Sequence, residues 1–331
     1  MPDLEKSLLA TIIWFDMFEY PLTLLELAQW RMVPLSLNPL LPKEGSGEVN
    51  PLSVIQKALA ESLFLQQRIA HQNGFYFLKG RETLIPIRLH RAALAHQKLK
   101  KARRAARIFA GIPFVRMIAV GNTLGWNNAR EESDIDFFIV AQQGRLALVR
   151  FIAVYIAELF HWQPTKAHKQ DATCLSFFVA TNAFSLQSLQ HPVLVGSWPY
   201  DVYLHYWIHQ LTLLFDQHQA YDHFKTKNAW AEKLLPLHKG RVEVAQRGIT
   251  TTSFVRLAKH CGEYLLKGSL GNRLESYYFR IQRERLPIAL TSKLGQGTEV
   301  VFSPSVLKFH DQDRRKEYAE LFLKKNTAAL P

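Results

Sequence analysis

The sequence predicts a mixed α/β chain: a small helical unit closed by a hairpin, a β-rich middle, and a mainly helical end. Three observations predict it. In the first 84 residues, helix-capping patterns precede apolar runs, and Asn73-Gly74 separates two β-type runs. Between 111 and 195, strand-like apolar runs are interrupted by one helical stretch. From about 200 onward, apolar residues recur mostly at helical spacing. The organisation expected is 1–84, a basic linker helix over 85–110, an α/β domain over 111–195, and a helical domain over 196–331.

The elements follow in order. Residues 7–15 are an apolar helix that ends in the turn Glu19-Tyr20-Pro21-Leu22. Thr23-Leu24-Leu25-Glu26 is a capping box that opens a second helix to about residue 31. Pro34, Pro39, Pro42, Gly45, Gly47 and Pro51 mark a long loop. Ser53-Val54-Ile55-Gln56 reads as another capping box, with its helix reaching about residue 63. Strands over 65–70 and 75–78 complete the order of a winged helix, three helices and a hairpin. The basic helix carries Arg88, Arg91, Lys98, Lys100, Lys101, Arg103, Arg104 and Arg107, and no carboxylate occurs between Glu82 and Glu131. Strands are expected over 115–120, 134–140 and 174–180, with a helix over 145–160. Helices then follow over 203–215, 224–234, 254–266 and 274–285, and a strand over 298–302 precedes a helix over 311–325.

Composition restricts the function classes. The 331 residues contain 41 Lys and Arg against 28 Asp and Glu, for a formal charge of +13. That sign favours polyanionic partners: phosphates, nucleotides, nucleic acid or acidic lipid. The two cysteines, Cys174 and Cys261, lie far apart, which excludes a disulfide framework and a CxxC site. The first fifteen residues show no basic leader with a cleavage site, and the longest apolar stretch, 146–160, is broken by Arg150 and Glu158. A cytoplasmic protein with no membrane partner is therefore expected.

The chemistry concentrates in Val120-Gly121-Asn122-Thr123-Leu124-Gly125 and Ser133-Asp134-Ile135-Asp136-Phe137-Phe138-Ile139-Val140. Gly121 ends a strand without a Cβ to block a ligand. The amides of Gly121, Asn122 and Thr123 would open a short helix suited to phosphate oxygens. Asp134 and Asp136 are two residues apart on a strand, so both point to one face while Ile135 and Phe137 pack on the other. Carboxylates about 4 Å apart repel by about 4 kcal/mol at an effective dielectric of roughly 20, so the pair calls for a cation. Mg²⁺, or Mn²⁺, binds through one or two carboxylates plus substrate phosphates. Thr123 and Ser133 read equally as capping hydroxyls and as phosphate contacts.

This segment resembles the nucleotidyltransferase superfamily of DNA polymerase beta. Its signature runs apolar-Gly-Gly/Ser, a spacer, then Asp-apolar-Asp/Glu-apolar; here eleven residues, Thr123 to Ser133, form the spacer. Phe18-Glu19-Tyr20-Pro21-Leu22-Thr23 and Phe75-Tyr76-Phe77-Leu78-Lys79-Gly80-Arg81-Glu82 are similar to a group of prokaryotic proteins with a winged helix before such a domain. The resemblance implies metal-dependent transfer of a nucleoside monophosphate from a nucleoside triphosphate to an acceptor. It implies Asp134 and Asp136 as catalytic metal ligands, with Gly121, Asn122, Thr123 and Ser133 around the triphosphate. The acceptor class stays open between protein, RNA, an aminoglycoside-like small molecule and a sugar phosphate. Asn122 departs from the usual Gly or Ser. Many members also carry a third carboxylate on a later strand, where this chain reads Cys174-Leu175-Ser176-Phe177-Phe178-Val179. Asp171, Ser176 or water are the candidates to fill that place. The alternative reading is a degenerate fold serving as a nucleotide sensor or nucleic-acid-binding regulator.

Nucleic acid is a further expected partner, through the basic residues of 88–107 or through the winged helix. Yet the third helix of that unit offers only Lys57 and Glu61 for base contact, which favours a packing or dimerising role. His205 and His209 are spaced like a zinc-protease pair, but Tyr206 replaces the general base, so they read as packing. His310-Asp311 reads as a helix start and Lys267-Gly268-Ser269-Leu270-Gly271-Asn272 as a turn. No P-loop, dinucleotide or nucleophile-elbow motif occurs.

Overall fold

Ten consecutive residues, 7–16, are buried in the first helix, α1 (Asp3–Asp16), as its nearly continuous apolar surface requires. The computed structural model describes residues 3–34, 50–165, 169–191, 194, 195, 198, 199, 201–237, 248–310 and 312–329. Pro39, Pro42, Gly45, Gly47 and Asp311 lie outside them. After α1 come β1 (Leu22–Thr23) and α2 (Leu24–Gln29). The capping box is realised: Thr23 Oγ1 accepts the Glu26 N–H (3.2 Å), and Glu26 Oε2 accepts the Thr23 N–H (3.0 Å). The helix expected from Ser53 starts earlier, as α3 (Pro51–Glu61), because Asn50 Oδ1 accepts the Leu52 N–H with Pro51 in the first turn.

Residues 65 and 66, expected to begin a strand, belong instead to α4 (Leu63–Gln66), capped by Ser62. The hairpin is β2 (Ile69–Gln72) and β3 (Phe75–Leu78), turning through Asn73 (φ 52°) and Gly74 (φ 80°). Strand order β1-β3-β2 makes a small antiparallel sheet. The basic linker is α5 (Leu84–Phe109), whose Ala95, Ala102, Ala106 and Phe109 form the buried stripe.

The middle consists of β4 (Val115–Val120), α6 (Asn122–Gly125), β5 (Ile135–Ala141), α7 (Leu146–Leu159) and β6 (Thr173–Ala180). β7 (Leu194–Val195) and β8 (Trp198–Pro199) form a short ladder. Then follow α8 (Val202–Gln210), β9 (Thr212–Asp216), α9 (Ala220–Lys227), α10 (Ser253–Leu266), α11 (Ser269–Glu284), α12 (Ile288–Thr291), β10 (Val300–Phe302), β11 (Val306–Phe309) and α13 (Arg315–Ala329).

The main sheet runs β10-β11-β6-β5-β4-β9. Only β5 and β6 are parallel, joined by the α7 crossover. This corrects two expectations. The helix foreseen over 203–215 stops at Gln210, and 212–216 is an edge strand paired with β4. The boundary at 195 also cuts through the sheet, since β9, β10 and β11 come from the segment expected to be mainly helical, where only the strand over 298–302 was foreseen. Edge pairing with β4 satisfies the 212–216 backbone and buries Leu213, Leu214 and Phe215, so tertiary contact overrides helical spacing.

α11 covers α7 and supplies its cap: the Glu275 carboxylate accepts the N–H groups of Ala147 and Leu148, each at 2.9 Å. A second core joins the two ends of the chain. Trp14 stacks on Tyr206 (5.4 Å between centroids) and meets the edge of Phe322 (5.6 Å), which also packs on Trp198. Trp126, just beyond α6, packs on Phe15, Phe18 and Tyr20. The N-terminal unit is therefore built into the rest of the molecule. Phe322→Ala is expected to cost about 3–5 kcal/mol in chemical denaturation, followed in parallel by tryptophan fluorescence and by circular dichroism. A single shifted transition in both probes is the expected result; two separated transitions would refute the shared core.

Candidate metal centre

β5 carries Asp134 at its threshold and Asp136 in its first turn of pleat, with Ile135 and Phe137 buried on the opposite face. β6 lies parallel with Asp136 opposite Cys174. One carboxylate oxygen each of Asp134 and Asp136 and the Cys174 sulfur all lie within 4.8 Å of one another. The sequence-predicted pair thus comes together, and the third position on the neighbouring strand is a thiol.

The electrostatics are those of two half-buried acids facing one another. Burial pushes the Asp136 carboxyl up to about 6, reinforced by the Asp134 charge and opposed by the hydrogen bond from Asn122. Asp134 is raised too, by burial first, against its own backbone and the charges of Lys169 and Lys98. Burial and both acids drive the Cys174 thiol well above its ordinary range, so it stands as a neutral S–H.

Asn122 holds this arrangement. Its φ of 51° places it in the left-handed region, where Asn is among the few side chains tolerated. From there Nδ2 donates to Asp136 Oδ2 (2.6 Å), while Oδ1 accepts from Trp207 Nε1 (3.0 Å) and Tyr203 Oη (3.1 Å). Gly121 serves this packing: a Cβ there would stand 2.8 Å from Trp207 Nε1. Gly125 is held the same way, since its Cβ would fall 2.3 Å from the Gln210 carbonyl oxygen. Both glycines let α8 approach the turn.

The other predicted residues have structural partners. Ser133 Oγ donates to the Arg130 carbonyl (2.9 Å), and the Thr123 carbonyl accepts the Asn128 N–H (2.8 Å). Asp171 is engaged by Lys98 (2.9 Å) and Lys101, which hold its carboxyl below the ordinary range. Ser176 accepts from the Cys174 sulfur (3.2 Å) and meets His310 Nε2 (3.3 Å). Cys174, read from the sequence only as an unpaired thiol, is therefore the residue that completes the cluster. Tyr203 and Trp207 were missed as well. Only the alignment of β5 against β6 and of α8 against the turn brings them in.

The basic helix is only partly a solvated face. Buried Lys98 donates to the carbonyls of Glu131 (2.9 Å) and Ser133 (2.6 Å), fixing the approach to Asp134. Arg88 bonds Glu26 (3.0 Å) and the Tyr20 hydroxyl, and Arg91 bonds Glu19 and the Phe18 carbonyl. Lys100, Lys101, Arg104 and Arg107 face outward. His205 is buried between Gln190 (3.0 Å) and the Ala231 carbonyl (3.2 Å), a packing environment.

No family model, no curated protein and no solved structure matches this chain.

The raised Asp136 pKa fixes the sign of a stability effect. The native carboxyl binds its proton more tightly than an unfolded one, so its contribution is fully present below about pH 4 and is lost as pH rises through about 6. Asp136→Asn is expected to stabilise the metal-free chain at pH 7.5 by about 2 kcal/mol, with the gain vanishing near pH 4. Denaturant melts of both proteins across that range measure it, and a pH-independent difference would contradict the assignment.

Proposed function

We propose that the chain is a divalent-metal-dependent nucleotidyltransferase that moves a nucleoside monophosphate from a nucleoside triphosphate to an acceptor. The meeting of Asp134 and Asp136 at the Gly121–Asn122 turn carries this reading. Two desolvated carboxylates on one strand face make a site whose repulsion is relieved by a cation. The donor set fits Mg²⁺ or Mn²⁺: Asp134 and Asp136 present hard carboxylate oxygens, with the Cys174 sulfur as the one soft neighbour.

In this reading Asp134 and Asp136 hold the cation. Asn122 fixes one Asp136 oxygen by its 2.6 Å bond, and Trp207 and Tyr203 fix Asn122 in turn. The turn of Gly121, Asn122 and Thr123 lies beside the triphosphate, with Ser133 shaping the facing loop. Once bound, the metal would activate the attacking hydroxyl and stabilise the departing pyrophosphate. The acceptor oxygen bonds to the α-phosphorus as the bond to the bridging oxygen breaks.

Cys174 supports a second reading. A neutral thiol stands where a third ligand would sit, as expected of a fold that binds a nucleotide without turning it over, as a sensor or as a nucleic-acid-binding regulator. Pyrophosphate release, measured with each nucleoside triphosphate, Mg²⁺ or Mn²⁺ and a panel of acceptors, separates the two. Turnover that falls at least about 1,000-fold in Asp134→Asn and in Asp136→Asn, each still folded, is expected of the transferase. Metal-dependent nucleotide binding without turnover across the panel supports the sensor, and neither binding nor turnover refutes both.

Cys174→Asp separates them further. It is expected to raise transferase turnover about tenfold or more by adding a third hard ligand. Turnover unchanged in a variant that keeps the wild-type circular dichroism would show that two carboxylates suffice.

A further inference from the structure

α10 faces the wrong way for an ordinary surface helix. Its inner side carries charge: buried Lys259 donates to the carbonyls of Ala110 (3.1 Å) and Val115 (2.7 Å) and to Gln217 Oε1 (2.7 Å). Beside it Glu263 pairs with Arg116 at 2.6 Å. Its outer side is apolar. Phe254, Leu257, Ala258, Cys261, Tyr264 and Leu265 fall within an arc of roughly 120° at 100° per residue. Exposure runs to 79% for Phe254, 63% for Leu257, 71% for Tyr264 and 68% for Leu265. Leu270, at the start of α11, is exposed as well, at 55%. So long an apolar ridge on a surface marks an interaction site.

Charge decides what covers it. Lys267, the residue that follows α10, borders the ridge, with its Nζ 4.7 Å from the Tyr264 ring. Arg273, Arg280 and Arg283 face outward on α11, against one exposed acid there, Glu284, which Arg280 reaches at 4.0 Å. The C-terminal end of α5, with exposed Arg104 and Arg107, abuts α10 where Val255 meets Gly111. A second copy would bring like-charged margins together with almost no acid to match them. A straight ridge about 16 Å long, apolar at its crest and cationic at its edges, suits a flat anionic surface.

We propose that α10, supported by the cationic face of α11, is a peripheral membrane-binding element that lies in the headgroup layer of anionic phospholipid. The crest residues enter the acyl boundary and Lys267, Arg273 and Arg280 meet lipid phosphates. None of the helices formed by the described residues is long and apolar enough to cross a membrane, so the contact is with one surface. This inference is independent of the nucleotidyl-transfer reading, because α10 contributes no residue to the Asp134 cluster.

Sedimentation with vesicles tests it, using the full chain and either phosphatidylcholine alone or a mixture with phosphatidylglycerol. Expected is binding to the anionic vesicles, weakened about tenfold or more by Leu257→Glu or Leu265→Glu and by salt. Both positions are exposed, so these variants should keep the wild-type circular dichroism. An environment-sensitive fluorophore on Cys261, in a Cys174→Ala background, should shift to the blue on anionic vesicles only. Absence of binding, or binding that the two Glu variants leave intact, overturns the proposal. So does a label already shielded in buffer, or a dimer in sedimentation equilibrium that Leu257→Glu dissolves. Saturable capture of an acidic protein partner in place of vesicles would equally overturn it.

Discussion

Two like charges held on one strand face, away from bulk water, are the constraint around which the centre of this molecule is organised. Asp134 and Asp136 stay close because β-strand geometry gives them no alternative, and burial raises both carboxyls. The surroundings moderate that cost without removing it. Asn122 donates one short hydrogen bond to Asp136, while the positive charges of Lys98 and Lys169 act on Asp134. A protein selected only for stability would replace one of these acids with an amide. An amide at either position would relieve the repulsion, so the metal-free fold carries the pair as a cost.

The clamp on Asp136 reaches far along the sequence. Asn122 adopts a left-handed conformation so that its amide can face Asp136 on one side and α8 on the other. Gly121 and Gly125 admit Trp207 and the Gln210 carbonyl, which no larger residue would allow. α8 is pinned in turn by its N-cap, Asp201, whose carboxylate accepts from Leu204 N and pairs with Arg315 of α13 at 2.7 Å. Two sets of polar contacts, joined through the backbone of α8, thus link the C-terminal helix to the acidic pair. Polar contacts of this kind hold the Asn122 and Asp136 side chains in one arrangement.

What the sequence disclosed, and what it hid, follows from the range of the forces involved. β4, a near-continuous apolar run, the turn at Gly121 and the common face of Asp134 and Asp136 were legible because each depends on a few neighbouring residues. The Thr23 box and the Asn73-Gly74 turn were legible for the same reason. β9 was not, because nothing local stops a helix at Gln210, and only the open edge of β4 recruits 212–216 into the sheet. Buried cations misled as well. Lys98 and Arg88 look like parts of a solvated basic face until the carbonyls of Glu131 and Ser133 and the carboxylate of Glu26 are placed beside them. Cys174 was hidden for a related reason, since its meaning depends on which strand lies next to β5. α10 shows the opposite failure: its apolar spacing reads as a face turned to the core, yet Lys259 and Glu263 take that side.

The N-terminal unit bears on the site even though it supplies none of the acids. Arg91 joins the Phe18 carbonyl to the Asn128 side chain, and Asn128 Nδ2 returns a bond to that same carbonyl at 2.9 Å. Arg88 links Glu26 to the carbonyl of Asn127 (3.4 Å). Trp126, at the start of this segment, is packed against three aromatic rings of the unit. The connection from α6 to β5 is therefore held at one end by the N-terminal unit and at the other by Lys98. A loop fixed at both ends leaves the first acid little conformational freedom. A displacement of the N-terminal unit would be felt first at this loop, and through it at Asp134.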